Sequence, residues 1–185
     1  MAIILASQSP RRKELLKFIT EDFRVEVSNA DESINASLSP EDTVIYLSGI
    51  KGEAVFRNNP DDCVISADTI VVLDGKILGK PRNEEEAFDM LYALSGKSHE
   101  VFTGVSIFTK NKKISFAERT EVKFCALTKE EINSYIASGE PFDKAGGYGI
   151  QGRGSVMIEG INGDYYNVMG LPVSRLARIL REEGI

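Results

Sequence analysis

Four stretches of this chain place side chains where the local structure does not favour them, and such conflicts mark candidate chemistry. The first is Ser7-Gln8-Ser9-Pro10-Arg11-Arg12-Lys13, which leads from an apolar run into a helix start. A helix N-terminus carries partial positive charge and unpaired N–H groups, so acidic residues are favoured there. Arg11, Arg12 and Lys13 occupy the first turn instead. That arrangement costs some helix stability and makes sense if a polyanion such as a phosphate chain sits among the cations. A solvated basic helix end is the plainer alternative.

The second is Lys51, which shares a helix face with Val44, Leu47, Ala54 and Val55 by i, i+3, i+4 and i+7 spacing. Its stem can lie along apolar surface with the ammonium in water, or the ammonium can reach into a cleft. The third is Asp68 in Val64-Ile65-Ser66-Ala67-Asp68-Thr69-Ile70-Val71-Val72. Aspartate is a poor strand former, and an ionised carboxylate inside an apolar strand needs a partner or a metal. Hydroxyls flank it at Ser66 and Thr69, and Gly79-Lys80-Pro81 returns after a tight turn, so a functional role outweighs a structural ion pair. The fourth is Asp143-Lys144-Ala145-Gly146-Gly147-Tyr148-Gly149-Ile150-Gln151-Gly152-Arg153-Gly154. Its glycines let backbone approach a ligand, but the spacing fits neither a Walker A loop nor a dinucleotide fingerprint. By itself it reads as an irregular loop.

The elements that must position these residues alternate between strand and helix, an α/β pattern. Residues 3–6 read as a strand. Ser9 caps a helix with Pro10 at its first position, running to about Ile19. Residues 23–27 alternate as a strand, and Ser39-Pro40-Glu41-Asp42 opens a helix to about Asn58. Cys63–Leu73 is a strongly apolar strand, turned by Asp74-Gly75 into Lys76–Leu78. Asn83 starts a helix with Ala87, Met90, Leu91 and Leu94 on one face. Val101–Thr109 and Ile114–Leu127 read as paired strands about Asn111. Thr128 and Glu131 form a capping box for a helix ended by Gly139. Residues 144–170 read as irregular, and Pro172 opens a last helix striped by Val173, Leu176, Ala177 and Leu180.

Composition narrows the function classes. The chain has 185 residues, 42% hydrophobic and 27% charged, which suits one globular domain, at most one with two lobes. No run reaches the ~20 apolar residues that span a bilayer, and the opening Met1–Ala6 run is too short for a signal peptide core and lacks basic residues before it. A cytoplasmic protein without a membrane segment is therefore expected. Cys63 and Cys125, far apart and in apolar strand-like runs, read as buried free thiols. A single histidine, His99, all but excludes a zinc site, so any metal is a hard cation on carboxylates, such as Mg²⁺ or Mn²⁺. A net charge of −6 without a basic arm argues against nucleic acid as a partner, while a small anion remains open to a local cluster of cations.

Several blocks together resemble the Maf family: Leu5-Ala6-Ser7-Gln8-Ser9-Pro10-Arg11-Arg12, Ser66-Ala67-Asp68-Thr69, Leu78-Gly79-Lys80-Pro81, Leu94-Ser95-Gly96, Asp143-Lys144-Ala145-Gly146, Gly149-Ile150-Gln151-Gly152 and Gly163-Asp164-Tyr165-Tyr166-Asn167-Val168-Met169-Gly170-Leu171-Pro172. They occur in the family's order from end to end of the chain. The resemblance implies one domain over residues 1–185, an elongated mixed β-sheet flanked by helices, with two lobes and a central cleft, related to the inosine-triphosphate pyrophosphatases (Maf/Ham1). It implies metal-dependent hydrolysis of a nucleoside triphosphate at the α-phosphorus. Asp68 matches the family's proposed general base. Arg11, Thr69 and Gln151 match three positions that separate its substrate branches, and these residue types resemble the dTTP/UTP branch rather than the branch acting on 7-methyl-GTP.

That chemistry agrees with the residues. A triphosphate needs several cations, for which Arg11, Arg12, Lys51 and Lys80 are candidates, with Ser7 beside them. For the divalent metal, Glu32 and Asp68 are the acidic candidates; Asp68 either takes the proton from water or holds the metal that acidifies it. The family is also associated with arrest of division and septum formation, and with removal of modified nucleotides. The competing function is therefore a regulatory protein whose nucleotide site senses without turnover. A homodimer is left open.

Overall fold

The computed structural model describes residues 1–28, 30 and 38–185. Its elements are β1 (Ile3–Ala6), α1 (Pro10–Leu16), β2 (Phe23–Glu26), α2 (Pro40–Phe56), β3 (Cys63–Leu73), β4 (Lys76–Leu78), α3 (Glu84–Leu94), β5 (Ser98–Thr109), β6 (Lys112–Phe124), α4 (Lys129–Ile136), β7 (Ile158–Asn162), α5 (Tyr165–Met169) and α6 (Val173–Glu182). The strands hydrogen-bond in the order β2-β1-β3-β5-β6-β7, with β4 on β3. Pairing is parallel for β2-β1-β3 and antiparallel for β3-β4 and β6-β7, so the sheet is mixed, as expected.

Contacts divide the chain into two compact units. The first comprises Met1–Thr69, Thr103–Glu118 and Gly170–Ile185. In β1, β3 and β5, side chains alternate between faces. Ile4, Ala6, Val64 and Phe108 pack with Val55 of α2 on one face, while Leu5, Cys63 and Ile65 are buried on the other. The helix α2 is started by Ser39, whose hydroxyl accepts from the Asp42 amide at 3.1 Å, and Pro40 and the acidic first turn suit a helix N-terminus. It lies so close to the sheet that a Cβ on Gly52 would fall 2.4 Å from both Ser66 Oγ and the Phe108 ring.

The second unit comprises Ile70–Phe102 and Arg119–Met169. Its core joins Leu91 and Leu94 of α3, Ile132 and Ile136 of α4, and Phe124 and Tyr148. The turn from β3 into β4 uses Asp74 (φ 50°) and Gly75 (φ 75°), the left-handed pair a two-residue hairpin requires. The capping box at Thr128 and Glu131 is formed as expected.

Some boundaries differ from the sequence reading. α1 ends at Leu16, not near Ile19, because Phe18 and Ile19 donate to Leu15 and Leu16, the tighter i→i+3 bonds of a closing turn. The strand at residues 23–27 ends at Glu26, and Pro172 stands at the cap of α6 rather than inside it. Cys125 lies just past β6 and is half-buried, while Cys63 is buried; both thiols are free. Residues 144–170 are not wholly irregular: they hold β7 and α5. β7 is polar and interrupted by Gly160, so its strand state comes from pairing with β6, and α5 is a single short helix with no intrinsic periodicity to read.

Candidate active site

The described candidates in the first unit gather where β1 ends. In open α/β sheets ligands bind beyond the carboxyl ends of strands, and β1 runs out at Ala6 into the loop that starts α1. Ser7 Oγ accepts from the Ser9 amide at 3.2 Å, and Ser9 Oγ caps α1 by accepting from the Arg12 amide at 3.4 Å. The Arg12 side chain turns back over this loop. Its Nε donates to the Gly170 carbonyl at 2.8 Å, its Nη2 to Thr69 Oγ1 at 2.9 Å, and its Nη1 reaches Ser7 Oγ at 3.4 Å. Thr69 Oγ1 also shares a hydrogen bond of 2.9 Å with Thr103 Oγ1 on β5. Arg11, next along α1, is half-buried.

Asp68 precedes Thr69 on β3 and points to the opposite face, towards α2. It is 8% exposed, and Lys51 Nζ donates to its Oδ1 at 2.6 Å. Lys51 thus neither snorkels into solvent nor serves only as a free cation; it compensates a nearly buried carboxylate. Ser66, on the same face two residues earlier, donates to the Ser48 carbonyl at 2.7 Å and so ties this strand to the middle of α2. Asp68 Oδ2 accepts no hydrogen bond among the described residues. β3 pairs with β1 only as far as Ser66, and with β4 only from Val71 onward. Asp68 and Thr69 lie in the stretch between, where neither strand covers the backbone.

Two candidates belong to the second unit. Lys80 follows β4 and is exposed, and the carbonyl of its neighbour Gly79 accepts from the Gly146 amide at 2.9 Å. Gln151 is exposed, in a bend fixed by its neighbours: Tyr135 Oη accepts from the Gly149 amide at 3.2 Å, and Glu140 Oε1 from the Arg153 amide at 3.2 Å. Glu32 lies outside the described residues.

Among the described residues no group of three or more His, Cys, Asp and Glu side chains could hold a metal by themselves. Mg²⁺ or Mn²⁺ bound through one or two carboxylates and substrate phosphates needs no such cage. Asp68, with Oδ2 available, fits that mode of binding.

Sequence reasoning missed Thr103, Gly170 and the pair His99–Tyr148. Thr103 is fully buried in an apolar strand, the same signal that singled out Asp68, but a lone hydroxyl is easily satisfied and so reads as ordinary. Gly170 adopts φ 107°, which a sequence discloses only as one glycine among many. His99, 2% exposed, lies 2.6 Å by Nε2 from Tyr148 Oη, and burial lowers its pKa to about 4.

Arg12 is thus pinned at the strand-loop-helix junction after β1, and Asp68 is paired with Lys51 on the other face of β3, within a mixed α/β sheet. Residues 2–183 match the model of the Maf-like proteins, and the chain belongs to the Maf family. It is 57% identical over 180 residues to a dTTP/UTP pyrophosphatase of Bacillus cereus, covering 97% of this chain and 94% of that one. A dTTP/UTP pyrophosphatase of Bacillus thuringiensis subsp. konkukian is 56% identical over 183 residues, covering 99% and 96%. Among solved structures, the Ham1 protein of Staphylococcus aureus superposes with a TM-score of 0.56 at 15% identity, covering 98% of both chains, and this likeness bears out the expected fold.

Proposed function

We propose that this chain hydrolyses nucleoside triphosphates, dTTP and UTP foremost, to the monophosphate and pyrophosphate. The observation that carries the reading is the 57% identity, over nearly the full length of both chains, to a relative named for that activity. The site's chemistry supports it. Water attacks the α-phosphorus, a carboxylate oxygen of Asp68 receives the proton, and the bond from the α-phosphorus to the bridging oxygen breaks. Arg11, Arg12 and Lys80 offset the negative charge of the phosphate chain, in the bound triphosphate as in the leaving pyrophosphate, while Ser7 lines the phosphate end. Lys51 holds the Asp68 carboxylate in one orientation. A Mg²⁺ or Mn²⁺ ion held by Asp68 and Glu32 would polarise the phosphate oxygens and lower the pKa of water.

Selectivity is assigned to Arg11, Thr69 and Gln151. The glutamine amide offers both a donor and an acceptor, which suits a pyrimidine edge with one of each. A pocket made for such an edge leaves polar groups unpaired on the wrong base. The chain is read as one functional domain over residues 1–185 and as a cytoplasmic enzyme; free Cys63 and Cys125 suit a reducing compartment, and among the described residues no helix is long and apolar enough to cross a membrane.

Pyrophosphate release from a panel of dTTP, UTP, dCTP, ATP and GTP with Mg²⁺ or Mn²⁺ tests this reading. dTTP and UTP are expected to lead. Tight binding of dTTP with no pyrophosphate release would make the chain a nucleotide sensor instead, and a preference for purines would reverse the assignment of Gln151.

A further inference from the structure

Arg12 is held by three segments that are far apart in the sequence. Its guanidinium meets the Gly170 carbonyl at 2.8 Å, the Thr69 hydroxyl at 2.9 Å and, more loosely, the Ser7 hydroxyl at 3.4 Å. A guanidinium is planar, with five N–H groups in a rigid fork, so fixing Nε and one terminal nitrogen fixes the direction of all the others. The Thr69 hydroxyl can perform this task only if its own rotation is settled. Thr103, fully buried on β5, settles it: the two hydroxyl oxygens lie 2.9 Å apart. Whichever of the two hydroxyls donates, Thr69 Oγ1 keeps a lone pair for the Nη2 donor. Gly170 completes the clamp. At φ 107° its carbonyl faces Nε, and a Cβ there would come within 3.3 Å of Thr69 Oγ1 and 3.5 Å of Nε. Any side chain there would strain the backbone and press on Thr69 Oγ1.

We propose that Thr103 is a positioning residue for the polyphosphate site, acting through Thr69 to set the orientation of Arg12, with the Gly170 carbonyl as the second fixed point. The proposal rests on the reading that Arg12 binds the substrate's phosphates. It changes the part played by Thr69. The residue that separates substrate branches by type acts here through the direction it gives a cation, rather than through contact with the base. Phosphate recognition by arginine is geometric, two parallel N–H groups to two oxygens, so a rotated fork binds less well while keeping its charge.

Thr103→Val keeps the shape and removes the hydroxyl; Thr103→Ser keeps the hydroxyl. For Thr103→Val, KM for dTTP is expected to rise about tenfold with kcat within about twofold, the pattern of lost ground-state binding. Thr103→Ser is expected to return KM to within about twofold of the parent, given that the hydroxyl and not the methyl is responsible. In an Arg12→Ala background Thr103→Val is expected to add nothing, because the group it orients is gone. Titration of inorganic tripolyphosphate in the presence of Mg²⁺, followed by calorimetry, reads the same clamp without turnover. It separates the two claims: a chain that releases no pyrophosphate from any nucleotide refutes the activity, while weaker tripolyphosphate binding by Thr103→Val still upholds the clamp. Unchanged KM and unchanged tripolyphosphate binding in Thr103→Val would overturn the proposal. So would an undiminished Thr103→Val effect in the Arg12→Ala background, or a failure of tripolyphosphate to bind the parent protein.

Discussion

At the scale of single residues, the candidate chemistry turns on Asp68. A carboxylate in an apolar strand is legible from sequence, because burying a charge is too costly to happen without cause. The partner is less so: Lys51 reads equally well as a lysine whose ammonium escapes to solvent, and only the contact of 2.6 Å decides it. The partners of Arg12 are less legible still. A hydroxyl and a backbone carbonyl leave no mark in residue type, and they come together through the fold. Asp68→Asn preserves shape and removes the charge. Pyrophosphate release by this variant is expected to fall by about 10²–10⁴-fold, the usual size of a lost general base. Circular dichroism and a thermal melt should show the native fold retained. Near-parental turnover would reduce Asp68 to a structural partner of Lys51.

At the scale of elements, the sequence marks what is locally determined. β1 and the strand Cys63–Leu73 stand as read, as does the hairpin through Asp74-Gly75, because apolar patterning and turn residues act over a few positions. The starts of α2, α3 and α4 are marked by Ser39, Asn83 and Thr128, whose side chains cap those helices. β7 and α5 escape such reading, since β7 is a strand only by virtue of β6. The seating of α2 on the sheet is likewise a tertiary fact. It depends on Gly52, where a Cβ would lie 2.4 Å from Ser66 Oγ and the Phe108 ring. Gly52→Ala is expected to cost roughly 1–3 kcal/mol as an overpacked contact, which lowers Tm by several degrees. Because Lys51 is the preceding residue, the displaced helix should also weaken its hold on Asp68 and reduce kcat. Gly160→Ala on β7, where a Cβ meets nothing within 4 Å, is the control and should leave both Tm and kcat unchanged. Equal melting temperatures for the two variants would contradict this packing account.

At the scale of the whole molecule, strand order and the association of distant segments are what the sequence withholds. The pairing β2-β1-β3-β5-β6-β7 follows from long-range packing that no local pattern encodes. A global property follows from His99, whose burial lowers its pKa from 6.5 to about 4. The unfolded chain takes up a proton near the usual histidine value, while the folded chain resists it. Stability from this group is therefore complete above about pH 6.5 and is lost as pH falls from there towards about 4. The loss is on the order of 3 kcal/mol. The depressed carboxylates Glu53, Glu86 and Asp62 add their own losses as pH falls through their ordinary values of 4.5, 4.5 and 3.8 and below, overlapping the foot of this window. Denaturant melts of His99→Gln between pH 7 and pH 4 should give a flatter dependence of stability on pH than the parent. Parallel curves would mean that His99 titrates normally in the fold.

The central claim is attack of water at the α-phosphorus, and isotope labelling tests it most directly. dTTP is turned over in water enriched in ¹⁸O and the products are weighed by mass spectrometry. One ¹⁸O is expected in dTMP and none in pyrophosphate. Label in pyrophosphate with unlabelled dTMP would place the attack on the β-phosphorus, and label in orthophosphate beside dTDP would place it on the γ-phosphorus; either result contradicts the account.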